Sequence, residues 1–298
     1  MNRTFKTTGP RGLAYDSFPF RLWQKAKRFG VWDPAAIDFR RDVVDWRGLT
    51  DPERDLLLRL TALFQGGEEA VTLDLLPLIG AVAADGRLEE EMYLTSFLWE
   101  EAKHVEFFRR FLDRVTEDRS DLSRYHTPSY CQLFGEELPR AMGRLKEDRS
   151  PVALAEASVT YNMIVEGVLA ETGYHGYYSA LRRRGVLPAM QAGITEVKRD
   201  ESRHLGYGVY LLSRLVAEHG DPVWDAVEAK MNALLPLAVG VIVEAFAPYD
   251  PIPFDLDLED FTGFAMRQFQ SRFERIERAR EQDLAAILGA AEADEDAD

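Results

Sequence analysis

From Asp51 onward, apolar residues recur at alternating three- and four-residue spacing. Leu57, Leu60, Phe64, Val71, Leu75 and Leu78 share one face of a long helix that opens at Asp51-Pro52 and carries Pro77 and Gly80 near its end. An Asp followed by Pro is a helix-start signal, with Asp51 as the predicted cap. The same period predicts a second helix over 88–115, on Leu94, Leu98, Phe108 and Leu112. A third covers 121–146, interrupted near Pro128 and Pro139. A fourth follows Ser150-Pro151 and ends at Gly185, a fifth runs from Leu187-Pro188 to His219, and a sixth is capped at Asp221-Pro222 and reaches Ala247. A Pro-rich loop then leads to a last helix over 259–287. Alternating strand patterns and Asn-Gly hairpin signals are missing from the sequence. The pattern predicts an all-α fold, with one helical-bundle domain over 51–287. Residues 1–50 read as an arm of short helical turns and extended chain packed on the bundle. The acidic stretch 288–298 reads as a disordered tail.

The informative positions are charged residues inside these apolar stripes. Glu68 stands between Phe64 and Val71, and Glu101 and His104 between Leu98 and Phe108. Glu166 falls between Met163 and Leu169, and Glu201 and His204 follow Val197. Glu100 and Glu106 fall off the stripe. Two of the helices therefore carry Glu-x-x-His, whose i, i+3 spacing puts both side chains on one face. The offsets repeat, with 33 residues from Glu68 to Glu101 and 35 from Glu166 to Glu201. Four buried carboxylates need opposing charge. Two divalent metals supply it, and oxygen and imidazole donors suit iron and manganese. One Glu from each of two helices and Glu-x-x-His from two others is the ligand pattern of ferritin-like dinuclear bundles.

Composition changes this picture only at the edges. Of 298 residues, 46% are hydrophobic and 29% charged, ordinary for a soluble globular protein. The formal net charge of −15 argues against nucleic-acid binding. A single cysteine, Cys131, forms neither an intrachain disulfide nor a thiolate metal site. It reads as a packed core thiol and suits a cytoplasmic setting. The longest apolar run, Met231 to Ala247, is interrupted by Asn232, Pro236 and Glu244 and falls short of a ~20-residue membrane span. It reads as a buried core helix.

Several stretches carry a more specific resemblance. Phe29-Gly30-Val31-Trp32-Asp33-Pro34, followed by Asp42 and Asp45-Trp46, resembles the N-terminal segment of ribonucleotide reductase small subunits. The runs Gly67-Glu68-Glu69-Ala70-Val71, Met92-Tyr93-Leu94-Thr95, Glu101-Ala102-Lys103-His104 and Tyr161-Asn162 through Glu166-Gly167 resemble the ligand-binding oxidases of that superfamily. The resemblance implies a ferritin-like fold with a dinuclear site on four core helices plus additional helices. It implies Mn in a first site of Glu68, Glu101 and His104, and Fe in a second of Glu101, Glu166, Glu201 and His204, with a di-iron centre as the alternative. O2 is the implied oxidant, and Trp32 and Asp200 an implied relay to His104. A long-chain fatty acid in an apolar channel, an ether cross-link between Val71 and Tyr161, and a homodimer are implied as well.

In a regular helix Tyr161 and Glu166 would lie about 140° apart. Bringing them together requires a π-type bulge, a feature often found at functional sites. Phe108 stands where the reductase subunits carry their radical tyrosine, and the tail lacks an aromatic residue. Both favour the oxidase over a radical-generating reductase subunit. A non-catalytic lipid- or metal-binding protein is the third reading. His126, His175 and His219 lie outside the repeated pattern and are not expected to be ligands.

Overall fold

A computed structural model describes residues 5–281, so the predicted tail and the end of the last predicted helix lie outside the described residues. Among the described residues there are helices and no strand. The arm is more regular than its Trp, Pro and Gly content suggests. Helix α1 spans Phe18–Phe29 and α2 spans Arg40–Gly48. Phe18, Leu22 and Ala26 recur every four residues and are buried, which pins α1 against the bundle.

Helix α3, Asp51–Ala84, is capped one residue earlier than predicted, and Asp51 is its first residue. Thr50 is the cap: its hydroxyl accepts the Glu53 N–H at 3.4 Å, and Glu53 Oε2 accepts the Thr50 N–H at 2.8 Å. Helix α4, Leu88–Phe111, continues into a π turn at Leu112–Thr116. The next segment is broken into α5 (Pro128–Gln132), a π turn (Leu133–Glu137) and α6 (Leu138–Arg144). Ser150 caps α7, Pro151–Ser158, as predicted. The chain then winds as a π-helix over Val159–Ala170 and returns to α-helix in α8, Glu171–Arg184. Gly185 closes the rod at φ 63°, a left-handed conformation that suits a residue with no Cβ. Helix α9 spans Pro188–His219, α10 Asp221–Phe246 and α11 Leu258–Glu277. Asp221 does not cap α10 with its side chain; Gly220 occupies the cap position.

The bundle core is α3, α4, the α7–α8 rod and α9, with α10 and α11 packed on the π-helix. By length and composition, the rod and α10 are apolar enough to cross a membrane. In the rod 83% of that window is buried, which makes it a core helix; in α10 only 33% is. The expectation of a buried core helix at 231–247 is therefore corrected. One face of α10 covers the interior, while Val243 elsewhere on the helix is exposed. Cys131 is corrected too, because it lies exposed on α5 rather than in the core.

The fully buried Asp42 ties the arm to the bundle. Its carboxylate accepts the N–H groups of Ala189 at 2.9 Å and Met190 at 2.8 Å, at the start of α9. Asp42→Ala leaves both donors without their acceptor. It is expected to lower stability by about 1–2 kcal/mol in urea unfolding, the usual cost of losing an N-terminal cap.

Candidate metal centre

The stripe-breaking residues converge. Glu68 on α3, Glu101 and His104 on α4, Glu166 on the π-helix, and Glu201 and His204 on α9 are all buried. Their donor atoms form two groups, each with all atoms within 4.8 Å of one another: Glu68, Glu101, His104 and Glu201, and Glu101, Glu166, Glu201 and His204. His104 Nδ1 lies 3.4 Å from Glu68 Oε2 and 3.4 Å from Glu201 Oε1. His204 Nδ1 lies 3.2 Å from Glu101 Oε1 and 3.4 Å from Glu201 Oε2. Glu201 thus belongs to both groups, not to the second alone, so Glu101 and Glu201 both span the pair.

The donor set fits two divalent cations. Glu101 Oε2, His104 Nδ1, Glu166 Oε1, Glu201 Oε2 and His204 Nδ1 are buried with no hydrogen-bond partner. Buried polar atoms are seldom left so, and these five crowd into one space. The electrostatics agree. Burial, opposed by the nearby His104, pushes the Glu68 carboxyl up to about 8. Burial and then the charge of Glu201 push Glu166 well above the carboxylate range. His104 and His204 are driven up against burial, His104 by Glu68 and His204 by Glu201. Glu101 goes down despite burial, because both imidazoles stabilise its charge. Protons and carboxylates compete for one interior, which is the balance that cations settle.

The far side of each imidazole is held by an acid from the opposite helix. His104 Nε2 meets Asp200 Oδ2 at 3.3 Å, and Asp200 also accepts from Trp32 Nε1 at 2.7 Å and Lys103 Nζ at 2.9 Å. Trp32 is half-buried. His204 Nε2 meets Glu100 Oε2 at 2.9 Å, and Arg203 bridges Glu100 at 2.6 Å and Asp200 at 2.5 Å. Sequence reasoning set Glu100 aside as off-stripe, yet it is fully buried. The signal was available in Glu100-Glu101-Ala102-Lys103-His104 against Asp200-Glu201-Ser202-Arg203-His204, one acid–Glu–x–base–His pattern used twice. Asn162 was also missed; its amide donates to Glu166 Oε2 at 2.9 Å. Glu100→Gln is expected to weaken metal binding at the His204 side by about 10–100-fold, the usual effect of removing a ligand's supporting carboxylate. Metal titration against a competing chelator would measure it.

The π-helix delivers Tyr161 beside Glu101. Its Oη lies 3.2 Å from the Val71 carbonyl oxygen and 3.4 Å from Glu101 Oε1. An apolar cavity of about 100 Å³ reaches this centre, with Glu68, Glu101, Glu166 and Glu201 at one part of its wall. Phe64, Val71, Val165, Ala245 and Phe246 line the rest, with others. Phe108 stacks on Phe64 at 4.9 Å. Tyr174 and Tyr177 pack around that same Phe64. His175 pairs with Asp260, and His126 packs in a tilted contact on Tyr130; neither joins the two groups.

Comparison with known proteins agrees with the geometry. Residues 19–247 match the family described as ribonucleotide reductase, small chain. Solved structures of R2-like ligand-binding oxidase variants superpose closely. A valine-to-leucine variant with anaerobically reconstituted Mn/Fe cofactor is 37% identical, with a TM-score of 0.86. A valine-to-isoleucine variant with aerobically reconstituted Mn/Fe cofactor is 36% identical, with a TM-score of 0.88. A tyrosine-to-phenylalanine variant with anaerobically reconstituted Mn/Fe cofactor is 37% identical, with a TM-score of 0.86. Each match covers 92% of this chain and 98% of the other. With its helical fold and its two buried carboxylate–imidazole groups, the chain belongs to the ribonucleotide reductase small-chain family and, within it, to the R2-like ligand-binding oxidases, oxidoreductases built around a dinuclear metal site.

Proposed function

We propose that this protein is an oxygen-dependent Mn/Fe oxidase that performs two-electron C–H oxidation. Its first site is Glu68, Glu101 and His104, taking Mn; its second is Glu101, Glu166, Glu201 and His204, taking Fe; Glu201 serves both. The observation that carries the reading is the set of five unpartnered buried donor atoms beside a phenol and an apolar cavity. Bound there, the metal pair supplies the reduction of O2 and, with it, the oxidising power.

The chain's own residues do the rest. Asp200 and Glu100 orient the two imidazoles from behind, and Trp32 and Lys103 hold Asp200. Tyr161 closes an ether bond to Val71. One C–H hydrogen leaves Val71 and one O–H hydrogen leaves Tyr161, with two electrons and two protons passed on. Glu101 Oε1 is placed to take the phenolic proton. The cavity wall excludes water and presents methylenes to the centre. Its apolar lining, with carboxylates at one part only, suits a long-chain fatty acid whose carboxylate sits at the metals. Leu73 and Leu76, exposed and three residues apart on one face of α3, support a homodimer through that helix. Phe108 speaks against the reductase-subunit reading, because no phenol stands there to store a radical.

The test is peptide mapping after loading metal-free protein with Mn(II) and Fe(II) and admitting oxygen. The Val71 and Tyr161 peptides are expected to become joined with loss of two hydrogens, and to stay separate in an anaerobic control. Separate peptides in oxygen, with both metals bound, would sink the oxidase reading.

A further inference from the structure

A file of aromatic rings leads from His204 toward the surface, and none of its members lines the cavity. Phe97 stacks on the His204 imidazole, centroids 3.6 Å apart and planes 15° from parallel. Tyr93 lies 6.0 Å from Phe97, Tyr207 5.3 Å from Tyr93, and Tyr210 6.2 Å from Tyr207. Phe97, Tyr93 and Tyr207 are fully buried, whereas Tyr210 is 8% exposed. The file therefore spans the distance between a metal-binding imidazole and the edge of solvent.

Tyr207 has a proton acceptor. Its Oη donates to Glu90 Oε2 at 3.0 Å. Glu90 is buried between two guanidinium groups, Arg87 at 3.6 Å and Arg214 at 3.5 Å. Both arginines pair in turn with the exposed Glu218, at 3.1 Å and 2.9 Å. Filling space alone would need only a phenylalanine at 207. Burying an ion network costs free energy that apolar packing would not. Burial, and then Glu90, hold the Tyr207 phenol well above its usual range. A phenol in that state gives up an electron only as its proton moves to an acceptor.

We propose that Tyr207 is a redox-active tyrosine serving the metal centre. In one step Tyr207 gives one electron, by way of Tyr93 and Phe97, to the oxygen-oxidised centre and passes its phenolic proton to Glu90 Oε2. A neutral tyrosyl radical remains. An external one-electron reductant then returns the electron by way of Tyr210, and the proton comes back from Glu90. Oxidising power that finds no C–H bond is thereby discharged singly, away from the ligands. The proposal rests on the oxygen-dependent oxidation proposed above.

The test uses full-length protein loaded with Mn(II) and Fe(II), mixed with oxygen and frozen at successive times. Each sample is read by EPR and, in parallel, by peptide mapping of the Val71–Tyr161 link. A transient tyrosyl signal is expected, lost in Tyr207→Phe and slower to rise in Tyr93→Leu, with two metals still bound. A second readout needs no variant. Once the link has formed, re-reducing the centre with dithionite, removing the dithionite and readmitting oxygen over several cycles should add oxygen to the Tyr93 and Tyr207 peptides. Tyr125 and Tyr249 should stay unmodified, although each donates to the Asp55 carboxylate, because neither is in ring contact with the file. A cross-link formed with no Tyr207-dependent signal and no modification at 93 or 207 would overturn this proposal and leave the oxidase reading standing. No metal oxidation and no cross-link would overturn both.

Discussion

Glu101→Ala is expected to reduce the bound metal from two ions per chain to one or fewer, read by elemental analysis after equilibration and desalting. Glu101 supplies atoms to both groups, whereas Glu68 and Glu166 each serve one. Losing even a supporting carboxylate costs metal affinity about 10–100-fold, so losing a shared ligand costs more. Stability gives a second reading. Metal held at about 100 times its dissociation constant stabilises the fold by about 2.7 kcal/mol. Loading should therefore raise the Tm of the natural chain clearly and that of the variant little. After chelation the two should unfold within a few degrees of each other. A variant that still held two ions firmly would show that Glu201 alone can span the pair.

Ala245→Phe should separate occupancy of the cavity by the proposed fatty acid from metal binding. Ala245 lies on α10 in the cavity wall and is 4% exposed, so a larger side chain there projects into the apolar space. A phenyl ring displaces several methylenes of any long-chain occupant, at about 0.8 kcal/mol for each buried CH₂. Losing about four of them costs about 3 kcal/mol, or more than a hundredfold in affinity. Fatty acid extracted from the purified variant and measured by mass spectrometry is expected to fall to background, with metal content unchanged. Equal fatty acid in both proteins would place the lipid elsewhere.

The candidate ligands were legible because each breaks an apolar stripe. A charge where the helix period calls for leucine must be paid for locally, and Glu68, Glu101, Glu166 and Glu201 all stand at such positions. The π-helix was legible through a conflict: Tyr161 and Glu166 are out of phase on a regular helix, and Val159–Ala170 resolves it by changing pitch. Glu100 was not legible along a single helix, because its burial comes from His204 and Arg203, more than a hundred residues away. The double role of Glu201 depends on where a flexible carboxylate points, which spacing does not encode. Helix α1 was obscured by the Trp and Gly residues around it. The exposure of Cys131 and the outward face of α10 depend on which neighbours the fold supplies.

The crossed support of the two histidines bears on how a centre for two unlike metals can arise. In a twofold pair of identical helical hairpins, every contact from one copy to the other must recur in reverse. An acid that held the partner's histidine would have its own histidine held in return. The chain keeps that reciprocity, with Asp200 behind His104 and Glu100 behind His204. Joined in one polypeptide, the halves no longer have to match. Behind His104 stand Asp200, Lys103 and a half-buried Trp32; behind His204 stand Glu100 and Arg203. Broken internal symmetry of this kind gives two ligand sets of similar composition different surroundings, something a true homodimeric site could never do.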